Sequence, residues 1–477
     1  MEFSVNPATR MRRVLVVAYV FPPSGGAGVQ RVTKFVKHLP EFGWDCSVLT
    51  VANPSVPVCD ETLAEDVPEA TEIRKARTYE PGYALKNIVS AGAASGNAAT
   101  SKWSVRGAVK KVVRSVGNAV LQPDAQILWY PQAVREGMRL LNELHHDAIF
   151  VTAPPFSSFV TASELSRRSG LPLIVDYRDE WGISNQYQEN RQKSRLSHRL
   201  QSRMQRRVLR QAASVIATTR RSADSLAELV KQVDSQAEVS HIYNGFDRDD
   251  LPSLGHESRP DDDKLRLAYV GTLWNLTSIE PVVQAIRQVA TQHPQLAARI
   301  ELTVAGRRTA DQEAILDRLS ETPCQLIREG YVDHSRAIQI MSNADELCLL
   351  LSGVPEAGRV VPAKTFEYLA LDRSILAVVP NGEVDEILSD CPRATVKLPE
   401  DVTGIANYLV QRLEQPADSR RSWPLSTSAA GPIDAQQFER RELTRQLAET
   451  IDRVVGVTRS SDVLASIEVA DEVAVAE

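Results

Sequence analysis

Lys364 and Glu367, a cation and a carboxylate three residues apart, are the pair in this sequence best placed to bind a ligand. Their segment, 358–379, predicts a loop, a helix that opens at Pro362, and a buried strand over 374–379. The pair then lies on one side of the helix near its start, where free N–H groups attract phosphate. In an α/β fold, such amides would bind a nucleotide diphosphate, with the lysine on its charge and the carboxylate on the ribose hydroxyls. The alternative is an ordinary surface ion pair on a helix packed against a sheet.

A glycine-rich turn near the start of the sequence is a second candidate for ligand binding. The apolar segment 13–19 predicts a buried strand, and the segment 29–39 predicts the helix that follows it. Between them, Gly25, Gly26 and Gly28 allow the backbone to approach a ligand closely, beside the positive end of the helix. The turn lacks the G-x-G-x-x-G spacing of NAD-binding proteins, so we do not expect that cofactor.

A charged cluster follows the predicted strand 172–175. Its ionisable members are Asp176, Arg178, Asp179 and Glu180. Open α/β sheets place their ligand-binding residues just beyond the carboxyl ends of their strands. The cluster therefore predicts a site at this edge, and the alternative is a structural network of arginine and aspartate.

Strand and helix patterns alternate in two series, which predicts two α/β domains with parallel sheets. The chain of 477 residues is also longer than one hydrophobic core normally supports. A polar linker over 255–264 separates the two series. We predict an N-terminal domain over 1–254, a C-terminal domain over 264–420, a terminal helix over 433–457 and a disordered tail over 458–477.

Composition argues against several classes of protein. The net charge of −6 argues against bulk nucleic-acid binding, and the five cysteines include no C-x-x-C pair, so we expect neither a disulfide framework nor a zinc site. We therefore predict a reducing, cytoplasmic setting. No stretch has the length needed to cross a bilayer. Two basic segments, 102–114 and 191–210, are compatible with solvated helix faces or with peripheral contact at the inner face of a membrane, and the second is also compatible with attraction to a polyphosphate acceptor; these interpretations stay open.

Several motifs occur in a characteristic order. They are FPPSGGAG after the first strand, TAPPFSS followed by DYRDEW, IYNGFD before the linker, YVGTLW at the start of the second series, and VPAKTFEYLA. Their order and spacing resemble the retaining glycosyltransferases of family 4 over nearly the whole chain, and most closely the bacterial members that build capsule, exopolysaccharide or O-antigen. The resemblance implies the GT-B architecture, an α/β fold of two facing Rossmann-like domains with a C-terminal helix that crosses back to the first domain.

The resemblance also implies a site for a nucleotide-sugar donor in the second domain. Glu367 would contact the ribose and the amides around 361–364 would contact the diphosphate, while the glycine turn would close over donor and acceptor from the first domain. The implied donor-binding residues are Gly25, Gly26, Gly28, Gly271, Thr272, Arg307, Val361, Pro362, Lys364 and Glu367. The nucleotide sugar is a substrate, and neither a metal nor another cofactor is expected, since positive groups and helix dipoles stabilise the departing diphosphate.

Three departures from the family pattern bear on the chemistry. Arg359 stands where the first of two paired glutamates is usual, Thr272 and uncharged neighbours replace a basic pair, and TAPPFSS lacks the usual histidine. We hypothesise that Arg359 and Lys364 neutralise the leaving diphosphate and that Asp179 orients the acceptor or the donor sugar. These three residues are the predicted catalytic group.

The predicted function is transfer of a sugar, with retention, from a nucleotide-sugar donor to a lipid-linked or polysaccharide acceptor. The departures leave two alternatives open. One is a catalytically inactive nucleotide-sugar-binding protein that assists assembly, and the other is a GT-B epimerase acting on sugar nucleotides. The donor base, the sugar, the linkage and the acceptor are not determined by the sequence.

Overall fold

The chain consists of two compact units. The first contains the residues up to Thr218, Ser222–Ile242 and those from Leu443 onward, and the second contains Thr219–Arg221 and Tyr243–Glu442. The computed structural model describes residues 12–25, 27–54, 61–80, 121–183, 195–251, 262–371, 373–417 and 435–456.

A parallel sheet of seven strands, counted over the described residues, forms the centre of the first unit. Its strands are β1 (Arg12–Val17), β2 (Trp44–Val51), β3 (Glu72–Ala76), β4 (Ala148–Ala153), β5 (Leu173–Tyr177), β6 (Ala212–Ala217) and β7 (Glu238–His241). Their order in the sheet is β3-β2-β1-β4-β5-β6-β7. The central strands β1 and β4 are nearly continuous runs of buried apolar residues, because helices cover both faces of a parallel sheet.

Helices connect these strands. They are α1 (Ala27–His38), α2 (Tyr130–Glu143), α3 (Ser157–Ser169), α4 (Arg195–Gln211) and α5 (Arg220–Gln232). The helix α3 ends at Gly170, whose φ of 74° is the left-handed conformation that glycine adopts without penalty. A further helix spans residues 440–456. Its Asp452 accepts hydrogen bonds from Arg12 and from the Trp44 indole, which join this helix to the first sheet.

The second unit is built on a parallel sheet of six described strands. They are β8 (Leu265–Val270), β9 (Ile300–Ala305), β10 (Gln325–Glu329), β11 (Glu346–Leu350), β12 (Ser374–Val378) and β13 (Ala394–Lys397), in the order β10-β9-β8-β11-β12-β13. The helices are α6 (Glu280–Gln292), α7 (Pro294–Ala297), α8 (Ala310–Asp317), α9 (His334–Ser342), α10 (Lys364–Ala370), α11 (Glu383–Leu388) and α12 (Val402–Glu414). Separate apolar clusters fill the two faces of this sheet.

The predicted start of one helix is wrong. α10 begins at Lys364 and not at Pro362, because the residues before it form a tight turn in which Thr365 and Phe366 donate to the carbonyls of Pro362 and Ala363. The basic segment 102–114 and the tail 458–477 lie outside the described residues. Of the helices that the structure describes, none is both long and apolar enough to span a bilayer.

Candidate active site

The predicted residues of the second unit lie at one edge of its sheet. Since all of its strands are parallel, their carboxyl ends meet at the same edge. Gly271 and Thr272 follow β8, Gly306 and Arg307 follow β9, and the loop that leads to α10 follows β11. Thr272 and Arg307 are exposed. Within the described part of the chain, the Arg307 guanidinium has no hydrogen-bond or ion-pair partner, so it is available to an anionic ligand.

Two glycines fix the spacing of the first two loops. Gly271 and Gly306 have φ values of 156° and 121°, which disfavour other residues. A Cβ built on Gly306 would overlap the carbonyl oxygen of Gly271 and lie 2.8 Å from its carbonyl carbon. The two backbones therefore touch, and the absence of a side chain at Gly306 allows the β8 and β9 loops to come together.

Lys364 and Glu367 form an ion pair on α10. The Lys364 Nζ lies 2.6 Å from Glu367 Oε2, and the side chains are 22% and 5% exposed. Desolvation raises the pKa of Glu367, but Lys364 and then His334 oppose it, and the resulting pKa is below the ordinary value. Glu367 is therefore a buried carboxylate that stays ionised because of the cations around it.

Backbone donors precede this pair. Within the described residues, the N–H groups of Val361, Ala363 and Lys364 donate to no backbone or side-chain acceptor. Pro362 has no N–H, and its carbonyl accepts from Thr365 at 3.0 Å. The turn around 361–364 thus presents amide N–H groups that could donate hydrogen bonds to an anion.

Arg359 is held by a residue that the sequence analysis did not single out. Its Nη2 lies 2.8 Å from Glu356 Oε2, and Glu356 adopts a left-handed backbone with φ of 65°. The backbone of this loop also makes a close contact that requires glycine, since a Cβ on Gly382 would lie 2.5 Å from the Cα of Gly358. Arg359 therefore enters any reaction already paired with a carboxylate. The only sequence signal for Glu356 is its spacing of three residues from Arg359.

His334 is a second residue that the sequence analysis did not identify as a site residue. It lies at the start of α9, and its Nε2 is 3.2 Å from Asp250 Oδ2. Its electrostatic interaction with Glu367 is among those that lower the pKa of that carboxyl. Asp250 lies three residues beyond the motif IYNGFD, and that motif did not indicate the contact.

The predicted residues of the first unit lie at the carboxyl edge of its sheet. Gly25 lies in the turn between β1 and α1, Gly28 is the second residue of α1, and Gly26 is outside the described residues. A Cβ on Gly28 would overlap Arg178 Nη1 and lie 2.8 Å from Cζ. The space next to Gly28 is therefore filled by a guanidinium of the chain itself.

The charged cluster after β5 divides into a structural and an exposed part. Asp176 is fully buried and accepts hydrogen bonds from Arg31 Nη2 at 2.8 Å and from Thr152 Oγ1 at 2.7 Å. Asp179 is exposed and has no ion pair among the described residues. The structural interpretation holds for Asp176, and Asp179 remains accessible for a ligand.

One segment of the first unit is similar to a known family. Residues 25–244 match the family model described as "Glycosyl transferase 4-like domain". This segment is similar to that family. The resemblance to family 4 is confirmed there. Among curated proteins, no sequence matches the chain.

Solved structures extend the likeness to both units. HepE from Anabaena in complex with UDP has a TM-score of 0.55 and 14% identity, with 93% of this chain and 100% of that chain covered. WaaG, a glycosyltransferase involved in lipopolysaccharide biosynthesis, has a TM-score of 0.51 and 14% identity, with coverage of 93% and 99%. The predicted GT-B fold with two Rossmann-like domains is confirmed.

The first unit also contains a buried acid that the sequence analysis missed. Asp124 Oδ2 accepts from the N–H of Ser157, the first residue of α3, at 3.1 Å. Burial raises the pKa of Asp124 to about 6. No local pattern marks this residue, because it reaches the start of a helix 33 positions further along the chain.

Proposed function

We propose that the protein is a retaining glycosyltransferase that moves a sugar from a nucleotide-sugar donor to a lipid-linked or polysaccharide acceptor. The observation that carries the proposal is the set of unsatisfied donors beside a buried carboxylate in the second unit. These donors are the amides of Val361, Ala363 and Lys364, and they lie next to Glu367 on the same turn and helix. This arrangement suits a pyrophosphate at the amides and a ribose at the carboxylate, which would accept hydrogen bonds from the ribose hydroxyls.

The proposed reaction needs no metal from the protein. The bond between the sugar C1 and the terminal phosphate oxygen breaks, and its electron pair leaves with the nucleoside diphosphate. The acceptor hydroxyl oxygen bonds to C1 on the same face, and its proton passes to the departing phosphate. Lys364 and Arg359 stabilise the charge that develops on that phosphate, and Arg307 adds a further cation. Asp179 orients the incoming sugar or acceptor.

The nature of the ligands is supported by the neighbours. HepE is described in complex with UDP-glucose at a TM-score of 0.52, and WaaG is described as acting in lipopolysaccharide biosynthesis. A uridine nucleotide is accordingly the first donor to test. We propose the division into an acceptor-side domain over 1–254, a donor domain over 264–420 and a returning helix over 433–457.

We further propose that the protein works in the cytoplasm and contacts the inner face of the membrane through α4. Arg195, Arg199, Arg203 and Arg206 are exposed on this helix, and none has an ion pair within the described residues. Leu196 is 67% exposed beside them. Cationic side chains next to an exposed apolar one suit an anionic lipid surface.

Donor binding and turnover test the proposal. The purified chain is screened by thermal shift against UDP, GDP and their sugar conjugates, and a productive donor is then supplied with acceptor and its products are analysed. We expect stabilisation by one nucleotide class and sugar transfer with retained anomeric configuration. Binding without transfer or hydrolysis would favour the inactive assembly partner, and conversion of the donor without acceptor would favour the epimerase.

A further inference from the structure

Glu383 is a buried carboxylate of the second unit that has no role in the reaction proposed above. It is the first residue of α11 and is 1% exposed. Its Oε1 accepts from the N–H of Arg220 at 2.7 Å, and its Oε2 accepts from the N–H of Arg221 at 2.8 Å. Its Oε1 also accepts from the hydroxyl of Tyr243 at 2.7 Å. Burial of a carboxylate is costly unless its oxygens accept such bonds, and here the chain itself supplies donors to both.

The two amides belong to the short segment Thr219–Arg221, which is part of the second unit. Arg220 and Arg221 are the first residues of α5, and the first N–H groups of a helix have no acceptor within it. Glu383 therefore caps α5 from a distant part of the sequence. The guanidinium groups of both arginines also form ion pairs with Glu386 on the same helix as Glu383. Backbone and side-chain contacts thus join the segment 219–221 to α11.

The same segment also holds the backbone of the Arg359 loop. The Thr219 hydroxyl donates to the carbonyl oxygen of Arg359 at 2.8 Å, and Thr219 is 2% exposed. The loop that leads to α11 contacts the Arg359 loop as well, since a Cβ on Gly358 would lie 2.8 Å from the carbonyl oxygen of Asn381. The backbone from which the Arg359 side chain projects is therefore fixed at two adjacent residues.

Tyr243 connects Glu383 to α10. The centroid of its ring lies 5.4 Å from that of Phe366, the residue before Glu367. Desolvation, and then the hydrogen bond to Glu383, raise the pKa of Tyr243, so its phenol remains a donor to that carboxylate. Glu383 therefore contacts groups that support both the Arg359 loop and the helix that carries Glu367.

We propose that Thr219 and Glu383 are positioning residues that hold the Arg359 guanidinium in place for a bound diphosphate. The guanidinium ends a long side chain, and its ion-pair partner Glu356 is 49% exposed, so that pair alone restrains it weakly. A displacement of about 1 Å at a group that stabilises a transition state can lower the rate by about a hundredfold. This role rests on the proposed function, which gives Arg359 its task.

Binding of inorganic pyrophosphate to the full chain tests the role without turnover. The Kd is measured by calorimetry at constant ionic strength, with chloride as the reference anion. Thr219→Val removes the hydroxyl and should raise the Kd by about threefold to tenfold, the change expected for one hydrogen bond, whereas Thr219→Ser retains the hydroxyl and should restore the affinity. Glu383→Gln, which loses one carboxylate acceptor, should also raise the Kd. The matched control is Thr322→Val, which removes a hydroxyl bond of 2.7 Å to the Leu319 carbonyl before β10 and should leave the Kd unchanged.

The double variant Thr219→Val/Arg359→Gln separates a positioning role from a general structural one. If Thr219 acts through Arg359, valine at this position should raise the Kd in the wild type and leave it unchanged in Arg359→Gln. An equal rise in both backgrounds would overturn the proposal, as would an unchanged Kd in Thr219→Val. If Glu383→Gln does not fold, Thr219→Val and Thr219→Ser decide the question. A wild-type chain that binds pyrophosphate no more tightly than chloride would overturn the proposal as well.

Sugar transfer distinguishes this role from the proposed function. Thr219→Val should lower kcat more than it raises the KM of the donor, because the charge that Arg359 stabilises develops only as the bond to the phosphate breaks. A rise in KM alone would overturn the positioning role. Coupling of Thr219 to Arg359 in pyrophosphate binding, without sugar transfer by the wild type, would overturn the proposed function and leave the positioning role standing. Sugar transfer with a pyrophosphate affinity that does not depend on Thr219 would do the reverse.

Discussion

Replacing Lys364 by methionine should cost little stability at low pH and much more at neutral pH. Methionine keeps most of the aliphatic stem and removes the ammonium group, which lies 2.6 Å from Glu367 Oε2. Removing one partner of a fully buried ion pair costs about 3–5 kcal/mol. Lys364 is 22% exposed, so water reaches part of the pair, and we expect a loss of about 2–3 kcal/mol at pH 7.

The pH dependence follows from the Glu367 carboxyl. In the wild type its pKa is lowered, so the stability that it contributes is present above the pKa of the unfolded chain and is lost as the pH falls. Lys364→Met removes the largest interaction that lowers the pKa of Glu367, so desolvation then raises that pKa. The variant should therefore lose stability as the pH rises above about 4.5. The difference between the two proteins therefore widens from pH 4 to pH 7.

Urea unfolding at both pH values measures this difference. The double variant Lys364→Met/Glu367→Gln should recover to within about 1 kcal/mol of the wild type, since no buried charge is left. The matched control is Lys264→Met, which breaks a lysine–glutamate contact of 3.1 Å at the opposite edge of the same sheet and should cost less than about 1 kcal/mol. Equal urea midpoints for Lys364→Met and the wild type at pH 7 would refute the reasoning.

Sugar transfer, measured near pH 5 where the variant stays folded, should fall at least a hundredfold in Lys364→Met. Near-normal turnover there would contradict the role assigned to Lys364.

Three further sets of substitutions test other features of the two units. Asp124→Asn should raise the free energy of unfolding at pH 7 by up to about 3 kcal/mol. The reason is that a carboxyl whose folded pKa is raised to about 6 stabilises the fold below pH 4 and loses that contribution as the pH rises to 6. If the unfolding free energy of the variant fell as steeply between pH 4 and 6 as that of the wild type, this reasoning would be contradicted. Gly306→Ala should cost more than about 2 kcal/mol of stability because its Cβ meets the Gly271 carbonyl. The control Gly330→Ala has open space around its Cβ and should change stability by less than about 0.5 kcal/mol. Equal thermal unfolding of the two variants would argue against the contact. Glu356→Gly should be about 1 kcal/mol more stable than Glu356→Ala, since only glycine adopts the left-handed backbone at φ of 65° freely, and the opposite ranking in urea would show that the loop relaxes.

The extent to which the fold follows from the sequence depends on burial. The strands predicted over 13–19, 172–175 and 374–379 are observed as Arg12–Val17, Leu173–Tyr177 and Ser374–Val378, because each is a largely buried apolar run. The strand Glu72–Ala76 was missed because it lies at the sheet edge and consists mostly of polar, accessible residues. The start of α10 was misplaced because Pro362 is compatible both with a first helical residue and with the tight turn it actually forms.

The candidate site shows a different limit. Lys364 and Glu367 were predictable as a pair because both lie within one turn of one helix. The contact of Arg178 with Gly28 was not, because 150 residues of chain separate the two and only the order of the strands brings them together. A sequence pattern of this kind identifies residues that suit a ligand, but it does not show where the protein's own side chains already fill the space beside those residues.

The long helix over residues 440–456 imposes an order on biosynthesis. Its residues from Leu443 onward complete the first unit, through Asp452 against Arg12 and Trp44, although the whole of 243–442 is translated in between. The nascent first unit must therefore wait on the ribosome, without its last helix, until the second unit has emerged. Separate expression of the two halves should accordingly require that 443–456 be grafted onto the earlier half, and a simple cut after Ile242 should leave a fragment with an uncovered binding face for that helix.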